Sequence, residues 1–75
     1  MTSEDQLFKL LLELEEGQKK ELMKIGRRIV PTLTDEDILQ PNDYPELENN
    51  PHFRYEEGVL AGIQMTLMAI RVSYL

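Results

Sequence analysis

The chain has 75 residues, no cysteine and a formal net charge of −6. A chain this short forms one domain and buries only about 60% of the surface that it exposes when unfolded. Because disulfides and thiolate metal sites are excluded, we expect its stability to come from helix packing and self-association.

The first predicted element is a long helix over residues 3–30. Ser3 and Gln6 have the spacing of a capping box, in which each side chain bonds a free backbone N–H at the helix start. Apolar residues then recur at the intervals of one helical face, at Leu7, Leu11, Leu14, Leu22, Ile25 and Ile29. Acidic residues in the first half and basic residues towards the end favour one continuous helix. A break near Gly17 is the alternative, since glycine costs about 1 kcal/mol relative to alanine inside a helix.

Residues 31–50 form a predicted acidic connector. Pro31 ends the first helix, because the residue before a proline is disfavoured in the α conformation. Thr34 is a suitable cap for a short helix over residues 35–39. Three prolines and three asparagines in residues 41–51 leave no room for a longer regular element. We therefore expect an ordered, proline-rich connector.

A second long helix is predicted over residues 51–73. Asn50 before a proline is a favourable cap for its first turn. The later part of this helix is apolar around most of its circumference, and one partner helix cannot cover it. Gly58, Gly62 and Ala69 are small residues that allow another helix to approach closely. We expect them to pack against the first helix or against a second copy of the chain.

Together these elements predict an all-α fold in which the two long helices pack antiparallel as a hairpin. Since apolar surface remains uncovered, we expect a homodimer that forms a helical bundle. A membrane-spanning helix is not expected. Residues 59–75 number 17 and contain Gln64 and Arg71, whereas a span needs about 20 mostly apolar residues.

Charge is distributed in blocks: residues 1–16 sum to −4, 17–31 to +4, 32–57 to −7 and 58–75 to +1. We expect the acidic segment to neutralise the basic run. No nucleic acid is expected as a partner, because the chain is acidic overall and no aromatic residue lies within the basic run. The acidic start of the chain lacks the basic segment of a secretion signal, so we expect a cytoplasmic protein.

His52 and Glu56 are the candidate metal ligands, because side chains four residues apart meet on one helical face. No second histidine and no cysteine is available to complete a zinc site, and residues 34–48 lack the glycine of an EF-hand calcium loop. The sequence also lacks a glycine-rich phosphate loop and a nucleophile beside a base. We therefore predict a protein that is not an enzyme and uses no cofactor and no metal.

The segment from residue 43 to residue 57 carries more aromatic and charged side chains than a helix start requires. Aromatic residues and arginine are enriched at interface hot spots. We expect four of its residues to contact a protein partner, namely Tyr44, His52, Arg54 and Tyr55, while Leu47 and Phe53 enter the core. In the alternative, Arg54 pairs with Glu57 and the segment only caps the bundle.

The predicted function is therefore that of a small acidic interaction or regulatory module. It would self-associate and present residues 43–57 to a protein partner. The alternative is a small metal- or ligand-binding helical protein that uses His52, Glu56 and nearby carboxylates.

Overall fold

The structure is a computed structural model that describes residues 3–40 and 43–74. Its elements in chain order are helix α1 (Ser3–Ile29), a 3-10 turn (Asp37–Leu39), the short helix α2 (Pro45–Glu48) and helix α3 (Pro51–Tyr74). No strand occurs in the described residues, so the predicted all-α fold is confirmed. Pro41 and Asn42 of the predicted connector lie outside the described residues.

Two contacts show that α1 and α3 run antiparallel. Gln18 of α1 bonds Glu56 of α3, and the Arg71 guanidinium carbon lies 5.6 Å from the centre of the Phe8 ring. Early residues of α1 therefore meet late residues of α3. This confirms the predicted hairpin.

Helix α1 is continuous through Gly17, so the alternative of a break there is wrong. Its first turn contains Glu4 and Asp5, and its last turn contains Arg27 and Arg28. The acidic residues at the start and the basic residues at the end each carry the charge that interacts favourably with the nearby end of the helix dipole.

The connector is held by local hydrogen bonds. The Thr34 N–H donates to Asp37 Oδ2 at 3.0 Å, and the Asp37 N–H donates to Thr34 Oγ1 at 3.2 Å. This reciprocal pair caps the 3-10 turn, which is shorter than the α-helix expected over residues 35–39 and begins two residues later. Further on, the Phe53 N–H donates to Asn50 Oδ1 at 2.9 Å, which confirms Asn50 as the cap of α3.

The core lies at the closed end of the hairpin, where the connector joins the long helices. Leu47 and Phe53 are fully buried, as the sequence predicts. They pack with buried residues of α1 and of the connector, namely Leu22, Met23, Ile25 and Leu33. This packing favours glycine at position 26, because a Cβ atom there would lie 2.5 Å from Leu33 Cδ2.

Helices α1 and α3 extend well beyond this core. The molecule measures 43 × 19 × 17 Å and has a radius of gyration of 14.3 Å, compared with about 11 Å for a compact domain of this length. At the open end of the hairpin, large apolar side chains are half exposed or more, namely Leu7, Leu10, Leu14, Met65, Met68 and Val72. The hairpin therefore leaves a substantial apolar surface uncovered.

Candidate interaction surfaces

Tyr44 was one of four residues expected to face a partner, but the structure packs it against the core. Partial burial and a hydrogen bond with Asp37 raise the pKa of the Tyr44 phenol. At the start of the 3-10 turn, hydrogen bonds from Thr34 hold the pKa of Asp37 below its usual value. Tyr44 thus fastens the connector to the hairpin.

His52, Glu56 and Gln18 form a polar group where α1 and α3 meet. Gln18 Nε2 donates to Glu56 Oε2 at 2.7 Å and to the Glu56 backbone oxygen at 3.0 Å. His52 Nε2 lies 3.7 Å from Glu56 Oε1 and is largely exposed. The sequence indicated the His52–Glu56 pair by its spacing but gave no signal that Gln18 would join it from α1.

Arg54 and Tyr55 lie on the first turns of α3 and are both exposed. Arg54 Nη1 lies 3.1 Å from Glu57 Oε1. This is the ion pair expected in the alternative in which residues 43–57 only cap the bundle. Residues two apart on a helix point about 200° away from each other, so His52 and Arg54 lie on opposite sides of α3. Of the four residues expected to contact a partner, only His52 and Tyr55 share an exposed side.

The metal-binding alternative requires more ligands than His52 and Glu56. Among the described residues, no group of three or more His, Cys, Asp or Glu side chains is arranged to hold an ion. The structure therefore adds no ligand to the pair that the sequence indicated.

Gly58 and Gly62 were expected to pack closely against another helix. Apart from its own helix and adjacent residues, a Cβ atom at either position would meet none of the described residues within 4 Å. Ala69 is also exposed. Helix α1, one of the two partners expected for these glycines, therefore does not contact them. Contact with a second copy stays a prediction.

These small residues belong to a row that we call the outer seam, defined as Gly58, Gly62, Met65, Ala69 and Val72. All five residues are exposed. Successive members are separated by four, three, four and three residues, which is the spacing of a coiled-coil contact face. The signal is present in the sequence, but it becomes visible only when the structure shows which residues α1 covers.

A second row on α3 faces α1. Phe53, Glu56, Leu60 and Leu67 are separated by three, four and seven residues, a spacing that keeps them on one helical face. Phe53 and Leu67 are buried, Leu60 packs against the core, and Glu56 bonds Gln18. Helix α3 thus has two contact faces, of which the hairpin uses one.

An open groove with a volume of about 910 Å³ lies along the second half of α1. Its cationic side chains are Lys19, Lys20, Lys24, Arg27 and Arg28, and its acidic ones are Glu16 and Asp35. Its apolar side chains are Leu22, Met23, Ile38, Leu39 and Leu60. We call it the basic groove.

Acidic residues of the connector were expected to neutralise this basic run. In residues 3–40 and 43–74, no ion pair within 4 Å joins the basic run to residues 32–57. Lys19 lies 4.0 Å from Glu15 on its own helix, and Arg27 Nε donates to the Leu33 backbone oxygen at 3.0 Å. The connector folds beside the basic run, but its described residues supply no carboxylate within 4 Å of these charges.

Comparisons of the chain with models of protein families, with curated proteins and with solved structures found no match. Among the described residues, no helix has both the length and the apolar character needed to cross a membrane. The functional argument therefore rests on the two surfaces defined above, the outer seam and the basic groove.

Proposed function

We propose that this protein is a helical interaction module that forms a homodimer through the outer seam of α3. The supporting observation is that α3 presents an exposed row of apolar and small residues with coiled-coil spacing on the side that α1 does not cover. Met65 is 72% exposed and Val72 is 82% exposed. Such a row is unfavourable in water and is typical of a helix-packing face.

The composition of the seam favours a second copy of α3 as its partner. Gly58, Gly62 and Ala69 have small side chains that let two helix backbones approach closely. Met65 and Val72 supply the larger side chains between and beyond them. When two hairpins join symmetrically in this way, the two α3 helices pack against each other at the centre and one α1 helix lies on the outer side of each.

Self-association also explains how a short chain without disulfides is stabilised. The core at the closed end contains few large residues, and towards the open end Leu7, Leu10, Leu14, Met65 and Met68 are half exposed or more. Burying apolar surface contributes about 25 cal/mol per Å². A dimer interface along α3 therefore adds stability where the hairpin has least.

A sedimentation equilibrium experiment on the whole chain tests the dimer. Across the micromolar range, we expect the mass of two chains, falling towards one chain only at the lowest concentrations. The melting temperature should rise with protein concentration, because association stabilises the folded state by mass action. A monomer mass at every concentration would contradict the proposal.

We further propose that the start of α3 contacts a protein partner through His52 and Tyr55. Tyr55 is 69% exposed although it is a large aromatic residue, and aromatic residues are frequent interface anchors. Affinity capture with a His52→Ala/Tyr55→Ala variant should lose a partner that the parent retains. A Glu4→Ala/Lys9→Ala variant changes two exposed residues of α1 and is the matched control.

A further inference from the structure

Most of the cationic side chains in the basic groove have no carboxylate partner in the described part of the chain. Five cations and two carboxylates line it. Among the described residues, no carboxylate lies within 4 Å of Lys20, Lys24 or Arg28. The groove therefore has a net positive charge within a protein whose net charge is −6.

These cations form a row along the helix axis. Lys20, Lys24 and Arg28 are spaced four residues apart, so they lie about 6 Å from one another and span about 12 Å. Compact anions, such as a single phosphate or one lipid headgroup, are bound by cations that converge on one point. A row of cations spaced one helical turn apart matches carboxylates that repeat at the same interval.

The groove also has an apolar surface. Leu22 and Met23 are buried beneath it, and Ile38 is half buried beside it. Leu39 is 79% exposed at its edge and extends this apolar surface. A strand of nucleic acid would leave this surface without a match, and the described residues that line the groove include no aromatic side chain for base stacking.

We propose that the basic groove binds an acidic amphipathic helix of a partner protein. Carboxylates on one face of that helix pair with Lys20, Lys24 and Arg28. Its apolar face covers Leu39 and Ile38. This is helix-in-groove recognition, in which apolar anchors contribute affinity and the charge pattern fixes the register.

The proposal is independent of the dimer. Of α3, the groove uses only Leu60 and Gln64, and neither belongs to the outer seam. In a homodimer joined by the outer seam, the basic groove of each copy therefore stays accessible to a partner. Both surfaces can therefore be tested on the same sample.

The test uses the whole chain and a fluorescein-labelled probe peptide of about 14 residues, long enough to follow the groove from Glu16 to Arg28. The probe carries glutamate on one helical face and leucine on the other. A control peptide has the same composition in an order that mixes the two faces. Fluorescence anisotropy should show binding of the amphipathic probe, with an affinity at least about tenfold higher than that of the control peptide.

Two matched variants separate the groove from the general charge of the protein. Lys24→Glu changes a groove cation, and Lys9→Glu makes the same change at an exposed position of α1 outside the groove. We expect Lys24→Glu to weaken probe binding about tenfold or more and Lys9→Glu to leave it within about twofold of the parent. Equal effects of the two variants would overturn the proposal.

Further measurements establish the chemistry of the ligand. Leu39→Ser should also weaken binding of the probe peptide. A helical circular dichroism spectrum should show that every variant is folded. Vesicles of phosphatidylglycerol and a single-stranded oligonucleotide should compete poorly. If either competes as well as an unlabelled probe, the groove recognises charge alone and the proposal is wrong. Sedimentation of the Lys24→Glu variant as a dimer would show that the loss of probe binding is separate from self-association.

Discussion

Gln18 and Glu56 join the two long helices by a double contact, in which one amide nitrogen donates to both the side chain and the backbone oxygen of the glutamate. The distances are 2.7 Å and 3.0 Å. The contact lies beyond the core, between the packed end of the hairpin and its open end. It therefore fixes the register of α1 against α3 where few apolar contacts do so.

Gln18→Ala should lower the free energy of unfolding by about 1–2 kcal/mol, because Glu56 loses a charge-assisted hydrogen bond in a partly buried position. Gln64→Ala makes the same change at an exposed position of α3 and should be neutral within about 0.5 kcal/mol. Urea denaturation of both variants measures the difference. Equal stabilities would show that the contact does not hold the helices together.

Gly26 and Gly17 should respond oppositely to alanine. Gly26→Ala places a methyl group 2.5 Å from Leu33 Cδ2 and 3.3 Å from Ile38 Cδ1, so overpacking of about 1–3 kcal/mol outweighs the gain in helix propensity. Gly17→Ala meets nothing within 4 Å and should stabilise the chain by about 0.5–1 kcal/mol. Thermal unfolding followed by circular dichroism gives the order of the two variants. A Gly26→Ala variant as stable as Gly17→Ala would contradict the packing at the closed end.

The connector should loosen in acid through Asp37. Its pKa is lowered in the folded state, chiefly by hydrogen bonds from Thr34, relative to the usual 3.8. A lowered pKa contributes stability above pH 3.8 that is lost as the pH falls through the folded value. The amide resonance of Thr34 should therefore shift below pH 3.8, and Asp37→Asn should abolish that shift whereas Asp35→Asn should not. The same titration in all three proteins would contradict the role of Asp37.

Gly62→Leu should have opposite effects on the stability of the single chain and on the strength of the dimer. Within one chain none of residues 3–40 and 43–74 lies within 4 Å of a Cβ atom at this position, apart from its own helix and adjacent residues, so leucine should improve helix propensity by about 1 kcal/mol. In a close α3–α3 contact the same side chain is too large. We expect a higher melting temperature at the lowest concentrations and a weaker dimer by sedimentation, with Gly17→Leu as the control that leaves the dimer unchanged.

Local signals were sufficient to predict much of the fold. The leucine stripe of α1, the cap at Asn50 and the burial of Leu47 and Phe53 follow from periodicity and capping rules. The short helix over residues 35–39 was less well predicted. There the side chain of Asp37 bonds back to Thr34 and fixes a tight 3-10 turn, which capping preferences alone do not distinguish from an α-helix.

Surfaces were harder to predict because they depend on which side of each helix the hairpin covers. Both rows of α3 have helical spacing, and the sequence does not say which one faces α1. The docking of Phe53 beside Gly26 decides it. The fold of the connector also places Leu39 at the edge of the basic groove, a feature that no local pattern contains.

The central claim is that the outer seam of α3 joins two copies of this chain, and a pair of neighbouring substitutions tests it most directly. Met65→Glu places a carboxylate in the seam, whereas Thr66→Glu places one at the next residue, also exposed but outside the seam. The two variants have the same net charge, and each substitution is about 100° from the other around the helix. Light scattering at micromolar concentration should give the mass of one chain for Met65→Glu and of two chains for Thr66→Glu. Dimers of equal strength from both variants would contradict the claim.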